Sequence, residues 1–328
     1  MLLFRRVTRV REMSVCHNMD TSEIAVSKIN STKIDSTEIG SAEISTDSSA
    51  ETTSKPKQNL SRRRFLLRSL AVAGALSVCD LAYETDMLTV TRHNIRMAGL
   101  KQPCRLVQLS DLHRSWCVSQ NFIEQVVRRT NALKPDVIAL TGDFVTHSTK
   151  YMSSCAEALK SLQAPLGLYG VLGNHDAAAD GCKGRPRVIE GLTAINVQLL
   201  ANSSARLENG LRLVGVDDAL TATPDPVTAF GRVDKNEAMI AMTHNPRIFP
   251  IMCQYDCVTI AGHTHGGQIN ISGLTSHLLG ARLRYQRGWY REPTGPGRLY
   301  VTRGLGVVGM PFRFHSPPEI TVFDLIPA

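Results

Sequence analysis

Five apolar runs in this chain each stop at a short polar block: Asp111-Leu112-His113, Gly142-Asp143, Gly173-Asn174-His175-Asp176, His244 and Gly262-His263-Thr264-His265. An apolar run of about five residues that ends in a carboxylate, imidazole or amide is the pattern of a buried strand carrying a polar side chain at its carboxyl end. Open α/β sheets build their sites there, outside the strand ends. Five such junctions restrict the chain to strands alternating with helices.

The runs preceding the blocks are 105–110, 137–141, 168–172, 239–243 and 257–261. A further core strand is predicted at 211–216, and closing strands at 299–302 and 320–325. From Gln120 to Leu133 the apolar residues Phe122, Ile123, Val126, Val127 and Leu133 share one helical face, and Lys134-Pro135 closes the segment. No linker composition interrupts residues 87–328, which are therefore predicted to form one catalytic domain. With 43% hydrophobic residues the chain can bury a sizeable core.

The amino-terminal stretch is different. Residues 1–59, rich in Ser, Thr, Glu and Lys, are expected to form a disordered low-complexity tail. Within it Ile24, Ile29, Ile34, Ile39 and Ile44 recur every five residues, a period that gathers them on no single helix or strand face. A repeat-mediated binding arm is the alternative. Residues 60–86 begin with Ser61-Arg62-Arg63-Arg64-Phe65-Leu66 and continue in an uncharged apolar run from Ser69 to Cys79. This segment resembles a twin-arginine export signal, and its run is shorter than the roughly 20 residues that span a bilayer. The expectation is a signal or membrane-associated segment read by the twin-arginine export machinery. A basic, amphipathic start to the domain is the competing reading.

Net charge of +8 fits nucleic acid, an anionic membrane or a phosphorylated substrate and ranks none of them. Nothing marks a specific nucleic-acid interface. Eight cysteines without a C-x-x-C pair give no sign of a zinc ribbon or a thioredoxin-type centre, and Cys253 and Cys257 are predicted to be buried thiols.

The blocks supply Asp111 and Asp143 as carboxylates, Asn174 as an amide oxygen, and His113, His244, His263 and His265 as imidazoles. Hard oxygen donors with imidazoles, at seven positions, describe a centre for two divalent cations held about 3.5 to 4 Å apart. A hydroxide between such cations can attack phosphorus in line with the leaving group. Two carboxylates against two dications leave the cluster positive, which favours an anionic phosphate ester over a neutral amide. His, Asp and Asn accept Mn²⁺, Fe, Zn²⁺ or Ni²⁺ by type, so the metal is not identified.

In this order the five blocks resemble the calcineurin-like metallophosphoesterase superfamily, with its D-x-H, G-D, G-N-H-[DE], H and G-H-x-H motifs. The resemblance runs from about Leu88 to Leu325. It implies a four-layer α/β/β/α sandwich with two mixed sheets. It also implies Asp111, His113 and His265 on the first metal, Asn174, His244 and His263 on the second, and Asp143 bridging them. His175 would assist the leaving group, and Asp176 would orient and charge it.

Ser110-Asp111-Leu112-His113, Gly262-His263-Thr264-His265-Gly266-Gly267-Gln268 and Thr302-Arg303-Gly304-Leu305-Gly306, with the twin-arginine-like start, resemble the exported bacterial phosphodiesterase branch. That branch is similar to UDP-2,3-diacylglucosamine pyrophosphatases of lipid A synthesis. The implied substrate is a phosphate ester or pyrophosphate, including lipid or nucleotide conjugates, handled at a membrane surface. The implied location is the periplasmic side, or the cytoplasmic face of the inner membrane for the lipid A reading. A non-catalytic scaffold is the alternative from another class.

Arg282, Arg284, Arg287, Arg303 and Arg313, interrupted by Tyr285, Trp289 and Tyr290, form a basic region. Such a run is ordinarily a solvated face. Arg303, which follows a predicted strand, is its best candidate for substrate contact. His17, His93, His147, His277 and His315 lie outside the blocks and are predicted to be ordinary polar residues.

Overall fold

The structure, a computed structural model, describes residues 87–232, 234, 237–270 and 284–328, together with Leu67. The predicted tail 1–59 and the segment 60–86 lie outside the described residues, Leu67 apart, as do Arg282 and His277.

Among the described residues, twelve strands form two six-stranded mixed sheets. The first runs in the order β1 (Thr89–Met97), β12 (Glu319–Pro327), β2 (Cys104–Leu109), β3 (Val137–Thr141), β4 (Leu168–Val171) and β5 (Val197–Leu199). The second runs β10 (Gly288–Arg291), β11 (Arg298–Val301), β9 (Val258–Ala261), β8 (Ala238–Met242), β7 (Leu211–Gly215) and β6 (Ser203–Arg206). In the first sheet only the β12–β2 pair is antiparallel; in the second, the β10–β11 and β6–β7 pairs are.

Alternation along the strands separates three apolar layers. Leu106, Val137, Ala139, Leu213, Ile240 and Ile260 point between the sheets and form the central layer. Val107, Ile138 and Leu140 point the other way, onto α1 (Gln120–Ala132), α2 (Met152–Leu159) and α4 (Arg185–Thr193). Met239 and Ala241 pack outward against α5 (Pro226–Phe230) and α6 (Phe249–Met252). The fold is thus the four-layer α/β/β/α sandwich. Gln108 interrupts the central apolar layer: it is fully buried and donates to Thr141 Oγ1 at 2.9 Å and to the Ala261 carbonyl at 3.1 Å, stitching the two sheets beside the strand ends.

All eight predicted strands and the helix at 120–133 are present, with ends shifted by at most a few residues. The helix is capped by Ser119, which accepts the Phe122 N–H at 3.1 Å, and stops where Lys134 turns left-handed (φ 53°). Strands β1, β5, β6 and β10 have no counterpart in the apolar runs. They are the four edges of the two sheets. An edge strand keeps one side toward solvent and needs no continuous apolar run, so it leaves a weaker mark in the sequence. Among the described residues no helix is long and apolar enough to cross a membrane.

Candidate metal centre

The carboxyl ends of β2, β3, β4, β8 and β9 converge on one place. The turns following them are bonded to one another: Asp111 N–H donates to the Gly142 carbonyl and His113 N–H to the Asp143 carbonyl, both at 2.9 Å. His263 N–H donates to Asp111 Oδ1 at 2.9 Å, so a turn of the second sheet is tied to a turn of the first. Gly142, at φ 88°, makes one of the close approaches here. A Cβ there would lie 2.6 Å from Gly173 N and 2.9 Å from His244 Nδ1, so no other residue fits.

Five of the seven candidate ligands leave from left-handed backbone: Asp111 (φ 54°), His113 (48°), Asp143 (56°), His263 (71°) and His265 (53°). This conformation is uncommon for residues with a Cβ and concentrates at functional sites. It turns each side chain back toward the common centre.

Two sets of donor atoms result, Asp111, His113 and His265 in one and Asp143, His244 and His263 in the other, each within 4.8 Å. In the first, His113 Nε2 stands 3.0 Å from His265 Nε2 and 3.9 Å from Asp111 Oδ1, and His265 Nε2 stands 3.6 Å from Asp111 Oδ1. In the second, His244 Nε2 lies 3.2 Å from His263 Nδ1 and 3.1 Å from Asn174 Oδ1. One atom faces both sets: Asp143 Oδ2 is 3.1 Å from His244 Nε2 and 3.4 Å from His113 Nε2. All seven predicted ligand residues are therefore gathered in one cluster.

The donor chemistry fits cations. His244 Nδ1 lies 2.8 Å from the Thr141 carbonyl, which can only accept, so Nδ1 carries a proton and Nε2 is left for the centre. Burial, opposed by the Asp143 charge, holds His113 well below the usual imidazole value. His265 is held low by burial and by Arg313, and His263 is brought to about 4 by burial and the His244 charge. Three neutral imidazoles thus present lone pairs. On His244 burial lowers the value but the Asp143 charge and hydrogen bond prevail, raising it to about 10. Asp143 mirrors this: burial pushes it up, and His244 and His113 hold it well below the carboxylate range. A cation at this centre would compete with a proton for His244 Nε2.

His175 sits half-buried at the mouth, its ring edge-on to His113 at 4.9 Å and to His147 at 5.9 Å between centroids. Its backbone N–H donates to Asp143 Oδ1 at 2.8 Å. The expectation that Asp176 orients His175 is corrected. Asp176 opens α3 (Asn174–Cys182) with its carboxylate turned inward, where it accepts the backbone N–H groups of Asp143, Phe144, Val145 and Gly173. It therefore clamps two ligand-bearing turns together. Burial and the Asp143 charge push its carboxyl up to about 7 against the pull of the Gly173 and Phe144 N–H groups.

Arg303 is half-buried, with Nη2 2.9 Å from Thr89 Oγ1 and Nε 3.4 Å from Glu319. Arg313 departs further from the reading of a solvated basic face: it is fully buried. It donates to the Gly306, Arg303 and Ser316 carbonyls, and its Nη2 stands 3.3 Å from His265 Nδ1. Thr146 Oγ1, 2.7 Å from His113 Nδ1, can accept the proton of that nitrogen and so leave Nε2 for the centre, which Arg313, a donor only, cannot do for His265. Neither residue belongs to a block, and nothing in the surrounding sequence singles them out.

The profile of the calcineurin-like phosphoesterase family matches residues 104–267, from β2 through the last ligand block. An uncharacterized metallophosphoesterase of Bacillus subtilis, YkuE, is 30% identical over 287 residues, covering 82% of this chain and 98% of its own. The chain belongs to the calcineurin-like metallophosphoesterases. Another relative of this metallophosphoesterase is UDP-2,3-diacylglucosamine pyrophosphatase LpxG of Chlamydia trachomatis, 30% identical over 297 residues, 72% of this chain and 89% of that one. Among solved structures, a dimetal phosphatase from Danio rerio aligns over 65% of this chain and 93% of its own, at 10% identity and a TM-score of 0.38. As a metallophosphoesterase the protein is a hydrolase of phosphoester bonds with two candidate metal-binding groups.

Proposed function

We propose that this protein hydrolyses a phosphodiester or pyrophosphate bond, with two divalent cations held by Asp111, His113 and His265 on one side, Asn174, His244 and His263 on the other, and Asp143 between. The observation that carries the reading is the position of Asp143 Oδ2, within 3.4 Å of an imidazole nitrogen of each set. When bound, such cations polarise phosphoryl oxygens and acidify a water.

The chain's own residues do the rest. The Thr141 carbonyl fixes the His244 ring and Thr146 engages the far nitrogen of His113, so both present Nε2 to the centre. His175, half-buried and in neither donor set, would be the group that assists the leaving oxygen, a role worth roughly 10²- to 10⁴-fold in rate. Asp176 keeps the Gly142-Asp143 and Gly173-Asn174 turns in register.

The Chlamydia trachomatis relative supports a finer reading, hydrolysis of UDP-2,3-diacylglucosamine. The twin-arginine-like segment supports action at the periplasmic side, and the lipid A reading places it at the cytoplasmic face of the inner membrane. Purified protein with Mn²⁺ should cleave bis(p-nitrophenyl) phosphate and lose that activity in Asp143→Ala. Cleavage that persists in excess chelator rules the proposal out. Direct assay of UDP-2,3-diacylglucosamine separates the finer reading from a general phosphodiesterase.

A further inference from the structure

Beside His263 lies a cavity of about 160 Å³ whose walls include Asn245, Arg247, Thr264, Arg284 and Tyr285. Asn245 is fully buried; its Oδ1 accepts the Arg247 N–H at 3.1 Å, while among the described residues its Nδ2 has no hydrogen-bond partner. A buried amide donor without an acceptor is unfavourable, and Asn245 carries one in the cavity wall. Arg247 is exposed, and among the described residues no carboxylate pairs with it. Arg284 is bonded to Glu292 at 2.8 Å, which leaves the rest of its guanidinium fork for another acceptor. Tyr285 is 4% exposed with its hydroxyl on Glu292, so the cavity offers little aromatic face for a base to stack on. A donor-lined, positively charged recess of this kind suits oxygen-rich anions.

Its position narrows the choice of anion. The recess adjoins His263, the one half-exposed imidazole of the ligand set, so a group bound there is contiguous with whatever the centre attacks. We propose that the recess seats the phosphoryl group that is not attacked, and that Asn245, Arg247 and Arg284 thereby select pyrophosphate-linked substrates over simple phosphodiesters. The inference rests on the hydrolase reading above and names the substrate class of that same site. In the reaction, water oxygen forms a bond to the attacked phosphorus as the bridging P–O bond breaks. The bridging oxygen leaves with the second phosphoryl group, which the recess holds, and water's protons pass to the products and solvent.

The test compares UDP-2,3-diacylglucosamine with bis(p-nitrophenyl) phosphate on the full-length, Mn²⁺-loaded protein. In Arg247→Ala the ratio of kcat/KM for the pyrophosphate over that for the diester should fall about tenfold, the loss of one charge-assisted hydrogen bond, chiefly through KM. Arg247→Lys should recover part of the ratio. A ratio that stays within about twofold of wild type in Arg247→Ala overturns the proposal. Calorimetric titration with imidodiphosphate supplies a readout independent of turnover: its Kd should rise about tenfold in Arg247→Ala, and more than the Kd for orthophosphate. If the wild-type protein turns over neither substrate, the hydrolase reading fails and this titration alone decides. Weaker imidodiphosphate binding in the variant then supports the recess, and equal binding refutes it.

Discussion

The set formed by Asp111, His113 and His265 is sealed, with exposures of 0%, 0% and 7%, and is backed by a buried guanidinium. The set formed by Asp143, His244 and His263 shares its burial at two positions but opens at His263 onto the recess beside Arg247. Two groups of similar composition thus have different surroundings. On the function proposed above, the sealed one would hold a cation, and the open one would let a cation and a substrate meet. A chelator should accordingly strip the open position first, in two kinetic phases.

The strongest way to break this comparison is to remove the shared carboxylate. Asp143→Ala should lose metal from both positions and all activity, whereas Asp111→Ala should lose mainly the sealed cation; elemental analysis of the purified variants reads the difference. Full occupancy in Asp143→Ala would show that the two sets are independent. Next in size, His175→Ala should lower kcat by roughly 10²- to 10⁴-fold while metal content is kept, because the ring belongs to neither donor set. A matching loss of metal would place His175 in the ligand set.

Arg313→Met sharpens the contrast between the sets. It leaves the Gly306, Arg303 and Ser316 carbonyls without their donor, so urea unfolding of the chelated protein should show a loss of about 3 kcal/mol. The smallest effect is expected at Glu319. This buried carboxylate is pushed up by burial but held below its ordinary 4.5 by the Arg303 charge and by hydrogen bonds from Tyr300 and the Arg303 N–H. A depressed carboxyl contributes stability that is complete above the ordinary value and is lost as pH falls through the lowered one. The advantage of wild type over Glu319→Gln, about 1 kcal/mol at pH 7, should therefore shrink below pH 4.5 in thermal unfolding.

Much of this was legible in the sequence, and the division has physical causes. Central strands such as β3 announce themselves because both faces are buried, and their carboxyl ends marked every candidate ligand. The edge strands did not, since half their side chains face solvent. The residues behind the imidazoles are also silent: Thr146 and Arg313 meet His113 and His265 only after the chain has folded back across many residues. Asp176 was recognisable as part of a site but not in its role, because its partners are backbone N–H groups, which every sequence supplies equally.

The left-handed torsions at Asp111, His113, Asp143, His263 and His265 carry a last consequence. Each is unfavourable by about 1–3 kcal/mol when nothing opposes it, so occupancy and backbone geometry depend on each other. With the cations withdrawn, the α/β/β/α sandwich should persist while these turns wander among alternative conformers, visible as fast amide exchange confined to the ends of β2, β3 and β9. Reloading must then wait for the torsions to return, which makes the metal-free protein a slow acceptor rather than an open cup.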